Sequence, residues 1–289
     1  MIATVIGIGL IGGSMALDLR KAGMVSKIIG VDRNADHLAE AVSLGIIDEF
    51  ADLADAIEQS DLILIAIPVD AARQLLPEVL DLLQEGQTVI DLGSSKAGIC
   101  AVAKDHPKRK QYVACHPIAG TEFSGPSAAF HGLYADKVNI ICNKEESSNE
   151  AVAVAQKVFE AVGMNIIYMD ADEHDRHIAY VSHLSHVTSF TLGLTVLDIE
   201  KDEKNIFNMA GSGFASTVRL AKSSADMWAP IFEQNSENLL EAMDAYIEKL
   251  QLFREVIKEK KTDQAHQLIK SGNEIKRILE GIELKNKAK

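Results

Sequence analysis

Apolar residues in the first 170 positions come in short blocks, and after residue 170 the blocks stop. Residues 2–8, Ile-Ala-Thr-Val-Ile-Gly-Ile, are apolar and partly β-branched, the composition of a strand buried on both faces. Comparable blocks recur at 27–31, 61–67, 88–92, 112–115, 137–142 and 165–169. Between them the spacing turns helical, near 35–44, 52–58, 97–104 and 148–161, and after Pro68 with apolar residues at 75, 76, 79, 80 and 83. Strands separated by helices predict right-handed crossovers and a doubly wound parallel sheet. From Asp170 the periodicity is helical throughout. It predicts one long helix from Asp172-Glu173 through Val196, short helices over 202–234, and long helices near 235–260 and 263–283. The expectation is a Rossmann-like α/β domain over 1–169 and an all-α domain over 170–289. Leu239, Met243, Ile247, Leu250, Phe253 and Ile257 form a stripe at helical spacing, the pattern of core or of a subunit seam, so a homodimer is expected.

The junction after the first block carries chemistry. Gly7-Ile-Gly9-Leu-Ile-Gly12 follows the strand directly and opens a helix that Gly23 ends. Gly7 permits the tight turn, Gly9 lets backbone approach a pyrophosphate, and Gly12 lets the helix pack on the strand. The N–H groups at the helix start, around Leu10 and Ile11, favour the phosphate charge. The second strand ends in Asp32, an acid placed to accept from the ribose hydroxyls and to repel a 2′-phosphate. That favours NAD over NADP, with Arg33 next door pulling the other way. Ligands of such sheets lie beyond the carboxyl ends of the strands, where Ile67-Pro68, Gly93-Ser94 and Cys115-His116 fall. Ser94 or Ser95 is expected to cap the helix over 97–104. Lys96 reads equally as a site residue or as a solvated lysine at the helix start.

Composition narrows the partners. With 29 basic against 42 acidic residues the net charge is −13, which argues against nucleic acid or an anionic membrane surface. No apolar run reaches the length of a membrane span, and Met1-Ile-Ala-Thr-Val lacks the basic start of a signal peptide, so a cytoplasmic protein is expected. Cys100, Cys115 and Cys142 have no metal spacing and read as reduced, buried thiols.

An acidic chain that binds an anion needs local positive or polar groups. His116 is delivered by the run Tyr112 to Cys115 and followed at once by Pro117, with Gly120, Gly125 and Pro126 keeping the loop irregular. It lies where a cofactor on the first half would meet a substrate held by the second. His174, His177, His183 and His186 raise the question of metal, but no carboxylate or cysteine shares their face closely enough, and no metal site is expected. Instead, one or two of them are expected to line a polar cleft. Arg219 stands in a small, apolar segment, where its charge calls for a protein carboxylate or a carboxylate ligand.

Six motifs taken in order, Gly7 to Ser14, Asp91-Leu-Gly-Ser-Ser-Lys96, His116-Pro-Ile-Ala-Gly-Thr-Glu122-Phe-Ser-Gly, Glu173-His-Asp175-Arg, Ser182-His-Leu-Ser-His186 and Thr217-Val-Arg219, resemble the prephenate dehydrogenase family of tyrosine biosynthesis. The resemblance runs from residue 1 to about 235. It implies oxidation of prephenate, or of its amino analogue arogenate, by NAD with loss of CO2. It further implies His116 and Ser94 at the substrate hydroxyl and nicotinamide, and Arg219 and His186 at the substrate's carboxylate end. Glu122 and Asp175 would be supporting acids, and Trp228 matches the family's tryptophan near that arginine. Neither a mutase segment before the first strand nor a regulatory domain after the helices is expected, and with them no feedback by tyrosine through a separate domain, though competition at the active site stays open. The residues suit the reaction: a neutral imidazole takes a hydroxyl proton near pH 7, and the guanidinium supplies a fixed positive charge. A β-hydroxyacid dehydrogenase shares the two-part layout but places a catalytic lysine on the long helix, and no lysine occurs between 171 and 200. A non-catalytic NAD-binding regulatory protein is the reading from another class, and the presence of His116, Ser94 and Arg219 together speaks against it.

Overall fold

The computed structural model describes residues 1–201 and 205–287, with side chains to residue 281. They pack as two compact units, Met1–Ser236 and Glu237–Lys289. The first contains an eight-stranded sheet in the order β3-β2-β1-β4-β5-β6-β7-β8. The strands are β1 (Ile2–Ile6), β2 (Lys27–Val31), β3 (Glu49–Phe50), β4 (Leu62–Ile65), β5 (Thr88–Asp91), β6 (Tyr112–Pro117), β7 (Val138–Cys142) and β8 (Asn165–Met169). Strands β1 to β6 run parallel, and apart from the exposed two-residue β3 their side chains are largely buried on both faces, as the apolar blocks require. The expected all-parallel sheet needs one correction: β7 pairs antiparallel to β6, and β8 follows β7 in parallel. The cause is the irregular link over 118–137, which returns the chain without the helical crossover that a parallel neighbour demands. The two-residue β3 was not legible, being too short to show a period.

Helices α1 (Leu10–Lys21), α2 (Ala35–Ser43) and α6 (Asn149–Ala161) cover one face of the sheet, where Met15, Leu19, Ala41 and Phe159 share a core with Val5, Leu64 and Val113. On the other face α3 (Leu53–Glu58), α4 (Val69–Leu82), α5 (Ala97–Ala103) and α7 (Ala171–Ile178) pack, with Ile57, Leu76, Ile99 and Ala171 against Ile63, Val89 and Ala114. His116, two residues beyond Ala114 in an alternating strand, belongs to this second face.

The long helix expected over 172–196 is interrupted. After α7 the backbone makes one π turn, Ala179–His183, and then resumes as α8 (Leu184–Glu200). The inserted residue shifts the phase of everything downstream. Short turns at Ile206–Met209 and Arg219–Lys222 flank α9 (Ser212–Thr217), and α10 (Ala225–Gln234) lays Trp228 and Ile231 against Val69 of α4. The described residues of the second unit are helical apart from short turns: α11 (Ser236–Lys258), which starts one residue before the unit, α12 (Thr262–Gly272) and α13 (Ile275–Lys287). The single helix expected over 263–283 is thus two, broken at the residues after Gly272. On α11 Leu239 and Ala242 are buried, whereas Leu240, Ile247, Leu250, Phe253 and Ile257 are exposed.

Candidate active site

The glycine loop after β1 is built as its spacing requires. Gly7 has φ +93°, and a side chain there would meet the Ala66 carbonyl oxygen at 2.6 Å and Ile67 Cγ2 at 2.7 Å. A side chain on Gly12 would overlap the Gly7 carbonyl, which is how closely α1 packs on the turn. A Cβ on Gly9, by contrast, would meet nothing within 4 Å. The loop is tight where backbone touches backbone and open at Gly9, just before α1, whose first N–H groups have no intrahelical acceptor. Asp32 sits at the end of β2, its Oδ2 accepting from Ile8 N–H (3.0 Å) and its Oδ1 from Asn34 N–H (2.9 Å). Each oxygen retains a lone pair, so the carboxylate both fixes the loop and has capacity for two hydroxyls. His37 Nδ1 stands 3.8 Å from it, while Arg33 is exposed. Leu10 turns its side chain into the core, Ile11 and Ile67 are half-buried, and Pro68 is exposed as the N-cap of α4. These residues fit a dinucleotide.

Beside this loop, the ends of β5 and β6 are pinned from within. Lys96 is fully buried, contrary to a solvated role: its ammonium pairs with Asp91 and donates to the Cys115 carbonyl at 2.7 Å. Burial pulls the lysine down most, but the charge and the hydrogen bond of Asp91 together offset it and the lysine is held above its usual range. Asp91 Oδ1 also accepts the Tyr112 hydroxyl at 2.7 Å. The loop after β5, which carries the half-buried Ser94, is therefore tied to the residue preceding His116. The expected serine cap of α5 does not form. Lys96 is the N-cap residue, and Asp175 of α7 takes the Lys96 N–H on Oδ1 (2.7 Å) and the Ala97 N–H on Oδ2 (2.8 Å). Ser95 is buried and donates to Gln234 Oε1 at 3.2 Å.

His116 itself is 8 % exposed, and its Nδ1 lies 2.7 Å from Nε2 of His174. His174 Nδ1 lies 2.7 Å from Asp175 Oδ1. Burial first, and then the neighbouring His174 and Lys96, hold His116 well below the usual histidine range. Burial also lowers His174, against the pull of Asp175. Both rings are neutral near pH 7.

The π turn brings two more imidazoles inward. His183 is buried, accepts the Asn235 amide on Nδ1 (3.1 Å), and is pushed down to about 4 by burial. The same amide donates to the Asp175 carbonyl at 2.7 Å. His186 donates from Nδ1 to the Ser182 carbonyl (3.1 Å) and stacks on Trp228 with ring centroids 3.4 Å apart. His183 meets the edge of the same tryptophan at 5.8 Å. His183 Nε2 and Trp228 Nε1 are buried and lack a hydrogen-bond partner among the described residues. Two buried donors in ring contact are costly unless a ligand or water oxygen meets them. Arg219 departs from expectation: its side chain is 55 % exposed, with Glu122 Oε2 at 3.8 Å from Nη1. Small neighbours do not bury it, because they lie on a one-turn segment at the surface. Ser189 of α8 holds that segment, donating to Thr217 O (3.0 Å) and accepting from Ala221 N–H (3.1 Å). The guanidinium also bears on His186, lowering its affinity for a proton after burial has done so.

Comparison with known proteins agrees with this layout. The family model of the prephenate dehydrogenase nucleotide-binding domain matches residues 15–168, and that of the prephenate dehydrogenase dimerization domain matches 170–271. The chain belongs to the prephenate dehydrogenase family. It is 28 % identical to the prephenate dehydrogenase of Bacillus subtilis, over 97 % of this chain and 76 % of that protein. It is also 28 % identical to the cyclohexadienyl dehydrogenase of Zymomonas mobilis, over 88 % of this chain and 87 % of that one. The crystal structure of Aquifex aeolicus prephenate dehydrogenase with hydroxyphenyl propionate and NAD+ superposes with a TM-score of 0.86 at 32 % identity, covering 96 % of this chain and 97 % of that one. Synechocystis arogenate dehydrogenase gives 0.76 at 25 % identity, covering 96 % and 100 %.

As a prephenate dehydrogenase family member, the chain is an oxidoreductase whose cofactor domain is the sheet just described. The structure links the residues singled out by sequence in two sets. His116 joins Asp175 through His174, and His186, Trp228, Arg219 and Glu122 form a second set, with His183 touching Trp228 and Asn235 joining His183 to Asp175. Sequence reasoning missed the parts played by His174, His183 and Asn235. The motif Glu173-His-Asp175-Arg was itself a signal for His174, since an imidazole next to a site carboxylate is oriented by it. Nothing in sequence signalled Asn235, which reaches the site only because α10 folds back on α4.

Proposed function

We propose that the chain oxidises prephenate with NAD, releasing 4-hydroxyphenylpyruvate and CO2, in the cytoplasm and as a homodimer. The observation that carries this is the buried imidazole of His116, neutral and held by hydrogen bonding at the carboxyl end of a strand, in a unit that also contains the dinucleotide loop. NAD, when bound, accepts the hydride from the ring carbinol carbon. His116 Nε2 takes the hydroxyl proton, with Ser94 sharing the hydrogen bond. The C1–carboxylate bond breaks, its electron pair enters the ring to leave a phenolate that takes the proton back from His116, and aromaticity makes the step strongly downhill. Positioning is therefore the protein's main task. Arg219 and His186 hold the carboxylate end of the substrate, the free valences of His183 and Trp228 supply donors, and Glu122 keeps Arg219 in place until substrate arrives. Gly7, Gly9, Gly12 and the N–H groups of Leu10 and Ile11 seat the pyrophosphate, Asp32 the ribose, and Ile67 and Pro68 border the nicotinamide side. On this reading function divides at 169/170, cofactor before and substrate and dimerisation after. Cys100, Cys115 and Cys142, buried thiols, suit a reducing compartment. No helix among the described residues is long and apolar enough to cross a membrane.

Arogenate differs by an ammonium in place of the side-chain keto group, so the same site chemistry serves it. Incubating the protein with each acid and NAD while recording NADH absorbance is the test. Turnover of prephenate supports the proposal, turnover of arogenate alone replaces the substrate, and turnover of neither removes it.

A further inference from the structure

Two neutral imidazoles that share one hydrogen bond cannot both choose their protons freely. An ionised carboxylate only accepts, so the 2.7 Å contact between His174 Nδ1 and Asp175 Oδ1 puts a proton on His174 Nδ1. In the neutral ring Nε2 is then a bare lone pair. That lone pair faces His116 Nδ1 at 2.7 Å, so His116 must carry its proton on Nδ1 and donate it. The remaining nitrogen of His116, Nε2, is left as an acceptor. Without this chain an isolated imidazole favours the opposite form, with the proton on Nε2, in which no lone pair would face a substrate hydroxyl.

The upstream end is fixed as firmly. Asp175 takes three donors, the N–H groups of Lys96 and Ala97 and the His174 ring, and its own backbone carbonyl accepts from Asn235. Both imidazoles are buried, and their rings meet edge to face with centroids 5.0 Å apart, which leaves them little freedom to rotate. We propose that His174 is a positioning residue that relays the orientation of Asp175 to His116 and fixes the tautomer in which His116 Nε2 is the proton acceptor. The proposal rests on the reading of His116 as the base and deepens it. During turnover the proton arriving on Nε2 makes His116 an imidazolium, still donating from Nδ1 to His174, so no proton needs to move along the relay.

The test is long-range proton–nitrogen NMR on the full chain labelled with 15N-histidine, at pH 7 without substrate. The relay predicts His116 and His174 both protonated on Nδ1. His116 carrying its proton on Nε2 overturns it, whatever the activity, so failure of the relay is distinguishable from failure of the base assignment, which His116→Asn tests by turnover. In His174→Phe, which fills the space without an acceptor, the His116 signal is expected to move to the Nε2-protonated form. There kcat should fall about tenfold to a hundredfold, with KM for NAD and for substrate within twofold. His174→Gln, whose amide oxygen can accept from His116 Nδ1–H, is expected to restore both the tautomer and most of the rate. An unchanged His116 tautomer or an unchanged kcat in His174→Phe overturns the proposal, and the wild-type spectrum decides it if that variant does not fold.

Discussion

At the scale of single residues, burial decides when His116 can act. Because its folded value lies well below 6.5, the ring becomes protonated only when pH falls through that lowered value. The acid limb of kcat is therefore expected below pH 6.5, and a limb centred at 6.5 or above would show an ordinary exposed histidine in the role. His116→Asn should cut kcat by about a hundredfold with NAD affinity kept, as read by turnover and by NADH fluorescence titration. Arg219 works the opposite way. Being exposed and only loosely held by Glu122, it has charge to spare for a ligand, and Arg219→Gln should raise KM by about tenfold to a hundredfold, the value of one charge-assisted hydrogen bond, and lower kcat much less. An unaltered KM would leave it a surface ion pair. His183 carries a stability prediction. Its folded value of about 4 is depressed from 6.5, so below 6.5 the unfolded chain binds the extra proton and folding loses ground. The sign is a loss as pH falls from 6.5 toward 4, about 2 kcal/mol by pH 5 from this residue, readable as a drop in the urea midpoint that His183→Gln should lessen by that amount, the depressed His116 and His174 keeping the rest.

Elements rather than residues explain why part of the site was legible and part was not. The strand blocks, the glycine loop and the strand-end position of His116 follow from local composition, which fixes local geometry. Lys96 shows the limit. Its neighbours Gly93-Ser-Ser95 are those of a solvated turn, and only the approach of β6 and α7 buries it between Asp91 and Asp175. Because that burial is paid for by Asp91, removing the charge alone should be severe: Lys96→Met is expected to cost about 3 to 5 kcal/mol, by urea denaturation, since it strands a buried carboxylate. A loss below 1 kcal/mol would mean that Asp91 is rehydrated or protonated at little cost. The π turn at Ala179–His183 was hidden for a different reason. A continuous helix and a helix with one extra residue have the same composition, and only packing tells them apart. Without that residue His174 and His183 would stand at a different angle about the helix, and the contact of His183 with Asn235 and Trp228 depends on it.

For the whole molecule the second unit presents an exposed apolar surface. Leu240, Ile247, Leu250, Phe253 and Ile257 of α11 are all exposed, and Ile269, Ile275, Ile278 and Leu279 of α12 and α13 add to the apolar surface. So much exposed apolar surface on three helices is unusual for a monomer and is the mark of an interface. The family model over 170–271 is that of a dimerization domain, which supports the proposed homodimer, with a second copy of the chain as the occupant of this surface. Burying such side chains gains about 1.5 to 3 kcal/mol each, so placing charges among them should dissociate the pair. Leu250→Glu with Ile257→Glu, both exposed and neither among the side chains assigned to the site, is expected to halve the mass in sedimentation equilibrium at micromolar concentration while leaving the circular dichroism of the sheet unchanged. An undiminished mass would place the subunit contact elsewhere on the molecule. If kcat falls together with the mass, the partner takes part in the site; if it holds, each subunit works alone and the helices serve assembly only.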